Sequence, residues 1–350
     1  MNTLYLDIHV LQTVPPSCIN RDDTGSPKSA IYGGVSRARV SSQAWKHAMR
    51  KMFTEIFSEE QIGVRTKNPV ELVVKELKRL GYEGKVEKEA AEALKKSGLK
   101  LNSKDNKVDA LFFMSRIQAR KLAELIVAGE EDAKIYKTVL ANSPAIDIAL
   151  FGRMVASDPS LNFDAAAQVA HSISTHEVKN EYDYFTAVDD LAPEDNAGAG
   201  HLGTVEFHSA TLYRYATVNL RELKKNLESD TTQAVKGFVK AFLLSMPTGK
   251  QNTFANRTVP DFAYITLRRD QPVNLAGAFE KPVYTRKEGY MEKSIRALEE
   301  FAKKTYDAFV DAPQEAYCVG GEGENLGTRV SLGELMEILE KRIREYCEEE

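Results

Sequence analysis

The order in which the hydrophobic periodicity changes along the chain constrains its fold more than any other feature. The early segment "TLYLDIHVLQTV" alternates apolar with other residues, which is the period of a half-buried strand. The segment "SSQAWKHAMRKMFTEIF" instead repeats its apolar residues every three or four positions, as an amphipathic helix does. Helical patterns continue to about Lys179, and strands, a helix and another strand follow. This order favours an α+β fold in which one face of an antiparallel sheet carries two helices.

The composition is that of a globular protein without a disulfide framework. The 350 residues are 43% hydrophobic, which is enough for one large domain or two. The cysteines Cys18, Cys318 and Cys347 lie far apart, so neither disulfides nor a metal finger are indicated. The N-terminal segment lacks the features of a signal peptide, and no apolar run reaches the length of a membrane span. We therefore expect a cytoplasmic protein with no membrane association.

Several short motifs resemble sites of known chemistry but lack the context that this chemistry requires. "GAGHLG" matches a dinucleotide fingerprint, yet an acidic loop precedes it and a strand-like segment follows, so we expect a hairpin arm. "SMPTGKQ" lacks the spacing of a phosphate-binding loop. His171 and His176 lie five residues apart, which indicates packing or capping rather than metal binding. Asp189 and Asp190 are adjacent and would point to opposite sides of a strand.

The segment Gly33–Met52 is unusually basic for this chain. It contains five cations and one histidine, although the whole protein has a net charge of −4. No carboxylate occurs between Thr24 and Thr54. The polar stripe of the predicted helix, opposite its apolar face of Trp45, Ala48, Met49, Met52 and Phe53, consists of Gln43, Lys46, His47 and Arg50.

The start of this predicted helix has the features of a phosphate-binding surface. Ser41 or Ser42 caps the helix, and its free N–H groups and the positive end of its dipole attract anions. Arg37 and Arg39 lie two residues apart, so on a strand they project from the same face. The preceding loop adds Arg21 and Lys28. Such a surface favours nucleic acid over an ordinary solvated helix face.

This region closely resembles the CasC-type backbone subunit of the type I-E CRISPR surveillance complex, Cascade. The resemblance near the N-terminus rests on "IHVL", "NRDD", "GG", "RxRxSSQ" and "KxAMRK". Further along it rests on "FGRMVAS", "AHSISTHEV", "FTAVDDL", "HLGT-EF" and "YRYATVNL". It covers most of the first 225 residues, is weaker through "GKQNTFANRTVPDFAYI" and is vague beyond about Lys281.

The resemblance implies a modified RRM-like (ferredoxin-like) antiparallel sheet, the palm, with a large helical insertion, the fingers, and a β-hairpin thumb. The implied boundaries are 1–57 for the first part of the palm, 58–180 for the fingers, 181–190 for more palm, 191–215 for the thumb, and 216–350 for the remaining palm with C-terminal helices. "GAGHLG" would then belong to the thumb.

The family's function is also implied. Several copies of a non-catalytic subunit stack along the spacer part of a CRISPR RNA in antiviral defence. Each copy grips the RNA backbone, and each thumb reaches its neighbour and turns a nucleotide out, so that the other bases pair with target DNA. The implied partners are CRISPR RNA, target DNA, other copies of the chain, and the large, small, guide-end-capping and RNA-processing subunits of Cascade. No cofactor and no metal are implied.

The residues expected to bind RNA combine the family motif with the basic surface. They are Arg21, Lys28, Arg37, Arg39, Ser41, Ser42, Gln43, Lys46, Arg50, Lys250 and Gln251. The expected thumb residues are His201, Leu202, Thr204 and Phe207. This chain has Ser36 where the family often has a basic residue. The alternatives are an RRM-like CRISPR RNA-processing endonuclease that uses His47 or His201, and a module that binds an acidic protein.

Overall fold

The computed structural model of the protein describes residues 3–187, 190–191, 201–286, 288–323 and 325–349. The strands are β1 (Tyr5–Ser17), β2 (Ser29–Tyr32), β3 (Val35–Val40), β4 (Gly63–Thr66), β5 (Phe112–Ser115), β6 (Ala167–Val169), β7 (Ser172–Ser174), β8 (Glu181–Ala187), β9 (His201–Asn219), β10 (Phe262–Arg268), β11 (Glu315–Gly320) and β12 (Thr328–Arg329). The helices are α1 (Ser42–Ile56), α2 (Pro69–Arg79), α3 (Val86–Lys96), α4 (Arg116–Val127), α5 (Ala133–Ala141), α6 (Ile146–Phe151), α7 (Leu220–Leu227), α8 (Thr231–Leu244), α9 (Gln251–Phe254), α10 (Met291–Ala308) and α11 (Leu332–Glu348). Short 3-10 helices span Pro159–Leu161, Glu228–Asp230 and Leu275–Phe279.

A large, mostly antiparallel sheet organises the molecule. Its strands follow the order β12–β11–β10–β1–β9–β7–β3–β2, and both β6 and β8 pair with β9 beside this path. The strand β1 lies between β10 and β9, with Ile8 opposite Ile265 on one side and opposite Ala216 on the other. The contact between β11 and β12 is parallel. The predicted combination of an antiparallel sheet with helices is therefore confirmed.

The strand β1 is buried on both of its faces, whereas its sequence pattern predicts burial on one. Leu6, Ile8 and Val10 belong to one core, as predicted. Asp7 and His9, which alternate with them, are also buried. The second face is covered by α10 and by the 3-10 helix at 275–279. These elements lie so far along the chain that the local pattern of β1 contains no signal of them.

On this second face of the sheet, burial favours the uncharged forms of Asp7 and His9. Asp7 accepts hydrogen bonds from the Tyr215 hydroxyl at 3.0 Å and from the Val273 N–H at 2.8 Å. Burial nevertheless raises the pKa of Asp7 to about 6. The Nδ1 atom of His9 lies 2.9 Å from the Tyr213 hydroxyl. Burial, together with the positive charge of Arg268, lowers the pKa of His9 to about 3.

The opposite face of the sheet carries α1 and α8, which pack against each other, with α11 against α8. The predicted apolar face of α1 is confirmed: its buried residues are Trp45, Ala48, Met49 and Phe53. Met52 is partly buried against the same core. A glycine permits the close approach of α8, because a Cβ atom on Gly237 would lie 2.0 Å from the Phe57 ring. This packing fixes the orientation of the polar side of α1.

A buried arginine lies between α1 and the sheet. Arg214 of β9 is 1% exposed, and its guanidinium carbon lies 3.7 Å from the centroid of the Trp45 ring. Arg214 donates hydrogen bonds to Gln12 Oε1 at 2.5 Å and to the carbonyl oxygen of Phe242. Burial lowers its pKa to about 9. One side chain thus links β1, β9, α1 and α8.

The helices between α1 and β6 surround a core of their own. The helices α2, α3, α4 and α5 pack together beside the two-stranded sheet of β4 and β5, as the helical pattern predicts for this part of the chain. Arg153 lies 4.8 Å from the ring centroids of both Phe112 and Phe163. It donates hydrogen bonds to the carbonyl oxygens of Leu140 at 2.6 Å and Leu161 at 2.7 Å. A buried guanidinium therefore organises this region as well.

The strand β8 and the first part of β9 form a hairpin arm. Every residue of β8 is exposed, and its pairing runs from Glu181 opposite Phe207 to Ala187 opposite His201. From His208 onward, β9 pairs with β1. Residues 181–190 are expected in the palm, whereas β8 belongs to the arm because its pairing partner is 201–207. The turn expected between Asp189 and Gly200 falls largely outside the described residues.

Candidate nucleic-acid interface

The start of α1 is capped, and one of its free amides is bound by a histidine. Ser41 Oγ accepts a hydrogen bond from the N–H of Ala44 at 3.3 Å, so Ser41 rather than Ser42 is the cap. The N–H of Ser42 donates to Nδ1 of His171 at 3.2 Å. The N–H of Ser41 donates to Asn20 Oδ1 at 2.8 Å. The loop after β1 is therefore attached to the helix start.

Lys28, Arg39 and His171 form a start group beside this end of α1. Arg39 Nε donates to the carbonyl oxygen of Ser29 at 3.1 Å, and its Nη1 lies 3.5 Å from His171 Nδ1. Burial lowers the pKa of His171, and the positive charges of Arg39 and Lys28 lower it further. A neutral His171 accepts the amide hydrogen bond from Ser42, which agrees with the predicted capping role.

Lys46 and Arg65 belong to a fingers-side group along α1. Lys46 is half-buried, with its Nζ atom 5.7 Å from the centroid of the Phe151 ring. Burial lowers the pKa of Lys46, and the positive charge of Arg65 lowers it further. Arg65, on β4, is exposed and lies 5.0 Å from the centroid of the Phe113 ring. An anion bound here would relieve the repulsion between the two cations.

Arg50, the third cation of the fingers-side group, is already paired. Its Nε donates to Asp147 Oδ2 at 3.0 Å, and its Nη2 donates to the carbonyl oxygen of Gly63 at 3.2 Å. Burial raises the pKa of Asp147, whereas the positive charge of Arg50 lowers it. The Arg50 side chain remains 25% exposed, against 2% for Asp147. Arg50 therefore joins α1 to the fingers and has only part of its guanidinium available for RNA.

Arg37 departs from the predicted RNA-binding set. It is fully buried, and it donates hydrogen bonds to the carbonyl oxygens of Ser174 at 2.8 Å, Phe279 at 2.8 Å and Tyr32 at 3.1 Å. Arg39 remains partly exposed. The expectation that both arginines present their charge to phosphates is corrected here, because backbone carbonyls surround Arg37. Its role is to hold the β2–β3 hairpin against the C-terminal half.

Arg21, Lys250 and Gln251 form a turn group at the other side of the loop after β1. Burial raises the pKa of Cys18, whereas the positive charges of Arg21 and Lys250 lower it, so both cations lie near its thiol. A Cβ atom on Gly249 would lie 2.3 Å from a carbonyl oxygen of this loop. Lys250 follows with a left-handed φ of 51°. The Gly-Lys pair is thus a tight turn that brings Lys250 towards Arg21.

Two of the expected thumb residues share one face of the hairpin arm with tyrosines of β8. Leu202 lies opposite Thr186, and Thr204 lies opposite Tyr184, and directly opposed residues share a face. The exposed fractions are 66% for Tyr182, 65% for Tyr184 and 57% for Leu202. This face of the arm therefore offers apolar and aromatic surface to another molecule.

The other expected thumb residues lie on the opposite face or are described only in part. The ring of Phe207 lies 5.7 Å from that of Phe254 in α9, which joins the base of the arm to the turn group. A Cβ atom on Gly203 would lie 2.4 Å from the Phe185 ring, so this ring covers the glycine. The structure describes His201 through its backbone pairing with Ala187.

Sequence reasoning missed Arg65 and Asp147. Arg65 lies in a four-residue strand that no motif marks, and Asp147 is separated from Arg50 by 97 residues. The sequence does contain one signal of Asp147, because it is the one carboxylate among the apolar residues of "IDIALF". An acid in such a segment is expected to be buried, and buried acids generally have a cationic partner.

His176, the second histidine of "AHSISTHEV", is buried and engaged in packing. His176 Nε2 accepts a hydrogen bond from the N–H of Thr211 at 3.1 Å, and its ring stacks on Tyr290 with centroids 3.6 Å apart. Among the residues that the structure describes, no group of three or more His, Cys, Asp or Glu could hold a metal ion. No helix within these residues has the length and apolar character needed to cross a membrane.

Known proteins resemble this chain along nearly all of its length. The model of the family described as "CT1975-like protein" matches residues 6–341. A solved chain titled "CRISPR RNA-guided surveillance complex, pre-nicking" is 31% identical, with a TM-score of 0.80 over 97% of this chain and 100% of that chain. Another, titled "CRISPR RNA-guided surveillance complex", is 29% identical, with a TM-score of 0.65 over 97% and 99%. A search of curated proteins found no match.

These matches agree with the motifs that carry the resemblance in the sequence. The family model includes the capped helix α1, the fingers and both strands of the arm, and it extends past the region in which the motifs become vague. The chain therefore belongs to the CT1975-like family, and its similarity to chains of CRISPR RNA-guided surveillance complexes supports the predicted CasC type.

Proposed function

We propose that this protein binds CRISPR RNA as a cytoplasmic backbone subunit of a type I-E Cascade complex. The observation that carries the proposal is the assembly of cations around the start of α1. The start group, the fingers-side group and the turn group come from distant parts of the chain, and the Ser41–Asn20 hydrogen bond joins the loop that carries Arg21 to the start of α1. Phosphates are generally held by such combinations of Lys, Arg and helix starts.

The chemistry of this surface suits an RNA strand whose bases must remain free to pair. A guide strand has to be held by its backbone, so that its bases stay free to pair with target DNA. Phosphate contacts do this without regard to sequence. The aromatic residues of α1, Trp45 and Phe53, are both buried rather than presented for base stacking, and Trp45 lies against Arg214. We infer that the protein grips phosphates and leaves base pairing to the RNA.

The sheet order supports an RRM-like palm. The strands β10, β1, β9 and β7 are neighbours in that order, α1 follows β1, and α8 follows β9. Both helices lie on one face. This is the arrangement of a split β-α-β sheet, into which the fingers are inserted between α1 and β6.

We further infer that several copies assemble along one RNA. The support is the face of the hairpin arm that carries Tyr182, Tyr184 and Leu202, all of them largely exposed. Exposed apolar groups on a projecting element commonly mark a contact with another chain. The other Cascade subunits and target DNA are proposed as partners on the same family grounds.

We propose that the protein has no nuclease activity. The alternative, an RNA-processing endonuclease with His47 or His201 as acid or base, is tested by incubating the purified protein with its repeat RNA. Intact RNA supports the proposed role. Metal-independent cleavage that His47→Ala abolishes would establish the alternative instead.

The main test concerns the fingers-side group. Lys46→Ala removes one phosphate contact, so the slope of log affinity against log salt for single-stranded RNA should become shallower by about 0.7. Affinity is measured by filter binding at several salt concentrations. Lys46 is preferable to Arg50, because Arg50→Ala would also leave the buried Asp147 without its cation.

A matched control is Lys341→Ala on α11, where the lysine is exposed and pairs with Glu345. This variant should bind RNA with the slope of the wild type. Equal slopes for Lys46→Ala and the wild type would show that α1 does not contact phosphates, and the proposed function would lose its main support.

A further inference from the structure

His171 is an exposed residue of the start group, and its two ring nitrogens differ in their contacts. It lies between β6 and β7, beside the first turn of α1. Its Nδ1 atom accepts the hydrogen bond from the N–H of Ser42. Its Nε2 atom has no hydrogen-bond partner within the described part of the chain. The predicted capping role therefore accounts for one ring nitrogen and leaves the other unexplained.

The contacts of Nδ1 fix the ring nitrogen that carries the proton. Both groups beside Nδ1 are donors, namely the N–H of Ser42 at 3.2 Å and Nη1 of Arg39 at 3.5 Å. Nδ1 is therefore the acceptor, and the proton of a neutral imidazole is then on Nε2. Burial and the positive charges of Arg39 and Lys28 lower the pKa of His171, which keeps the ring neutral at neutral pH. Nε2 is consequently a hydrogen-bond donor.

The backbone on both sides of His171 is held in place. The N–H of Ala170 donates a hydrogen bond to the carbonyl oxygen of Tyr215 at 2.9 Å. On the other side, Ser172 Oγ accepts a hydrogen bond from Nε1 of the buried Trp45 at 2.9 Å. A donor on a segment that is already ordered loses little conformational freedom when it binds a ligand. The Nε2 donor is therefore pre-organised.

The charges around this donor favour an anion. Lys28 and Arg39 are the charged groups that act on His171, and no carboxylate among the described residues does so. Phosphate oxygens accept hydrogen bonds from cationic and from neutral side chains. We propose that Nε2 of His171 donates a hydrogen bond to a phosphate of the bound RNA strand, beside the positive charges of Lys28 and Arg39. The inference rests on the proposed RNA binding and adds a neutral contact to its cationic ones.

The test replaces His171 with asparagine, whose side chain separates the two roles of the ring. In His171→Asn the amide oxygen takes the place of Nδ1 and still accepts from Ser42, but the donor at the position of Nε2 is lost. Affinity for single-stranded RNA should fall roughly twofold to tenfold, as expected for one hydrogen bond. The slope of log affinity against log salt should equal that of the wild type, because a neutral donor releases no counterions. The melting temperature should not change.

His171→Gln is the matched variant, because its amide nitrogen reaches the position of Nε2 while the acceptor for Ser42 is lost. It should bind RNA more tightly than His171→Asn and melt at a lower temperature, because the N–H of Ser42 is left without its acceptor. NMR of the imidazole nitrogens in the free wild-type protein should show the proton on Nε2. A proton on Nδ1 would overturn the inference.

Filter binding at several salt concentrations measures affinity and slope for both variants. Equal RNA affinities of His171→Asn and the wild type would overturn the contact, and a shallower slope for His171→Asn would show that the histidine binds in its charged form. If Lys46→Ala still changed the slope, the proposed function would stand without the His171 contact. Equal slopes for Lys46→Ala and the wild type would instead count against the proposed function itself.

Discussion

The two parts of β9 are held in different ways. From His208 to Asn219 the strand pairs with β1, and residues such as Tyr213, Ala216 and Val218 are buried in the cores on both sides of the sheet. From His201 to Phe207 it pairs with β8, every residue of which is exposed. A two-stranded hairpin without a core is marginally stable by itself. Packing therefore stabilises the palm part, whereas the arm part is built for contact with another molecule.

The largest expected effect is in the palm. Trp45 is fully buried, stacks on Arg214 and donates a hydrogen bond to Ser172 Oγ at 2.9 Å. Trp45→Ala should therefore lower the free energy of unfolding by about 3–5 kcal/mol. Denaturant unfolding followed by circular dichroism measures the change. A loss below about 1 kcal/mol, the size of an ordinary substitution, would contradict the claim that packing around α1 holds the palm together.

An intermediate effect is expected from acid, because burial strongly lowers the pKa of two histidines of the palm. Burial lowers the pKa of His9 to about 3 and that of His208, where β9 enters the palm, to about 4, from 6.5. The stability that each neutral histidine contributes is complete above pH 6.5, the pKa of histidine in an unfolded chain. It is lost as the pH falls towards the pKa of that histidine in the folded protein, at about 1.4 kcal/mol per pH unit. Asp7 has the opposite effect. The stability contributed by its protonated form is present below pH 3.8 and is lost as the pH rises through about 6.

Two histidines outweigh one aspartate, so the free energy of unfolding should decrease on acidification below pH 6.5. His208→Gln should make this dependence shallower by about 1.4 kcal/mol per pH unit. Urea unfolding at a series of pH values measures both slopes. If the free energy of unfolding depended on pH in the same way for the variant and the wild type, burial would not lower the pKa of His208.

The smallest effect on stability is expected in the arm. Replacing Tyr182 and Tyr184 with serine should change the free energy of unfolding by no more than about 0.5 kcal/mol each, because both side chains are exposed. The same change should reduce the number of copies that assemble on one RNA, as measured by analytical ultracentrifugation. Tyr284→Ser, at a tyrosine that is 74% exposed elsewhere, serves as the control. A strongly destabilised arm variant would show that the arm packs against the palm.

The sequence predicts local features of α1 well and its tertiary partners poorly. The apolar face of α1 and a serine cap at its start depend on neighbours along the chain, and the structure contains both. The burial of Arg37 depends on the carbonyl of Phe279, which is 242 residues away. Alternation places Arg37 and Arg39 on one side of a strand, but it does not indicate which other segment covers that side.

The charge count of the basic segment has the same limitation. No carboxylate lies between Thr24 and Thr54 in the sequence, yet Asp147 approaches Arg50 to 3.0 Å in the folded protein. Conversely, Arg65 adds a cation that the segment itself does not contain. A local excess of charge therefore indicates a polyanion site, whereas the residues left available for it depend on the fold.

The central position of β1 has a consequence for the synthesis of the chain. This strand leaves the ribosome early, but its partners β9 and β10 follow much later, and the contact between Asp7 and Tyr215 spans 208 residues. At roughly 5–20 residues per second, β1 waits roughly 10–40 s for its first neighbour in the sheet. The fingers, with a core of their own, are completed within this interval. A largely apolar strand with two unpaired edges is thus present on the nascent chain throughout this interval, and such strands are prone to aggregation until they are paired.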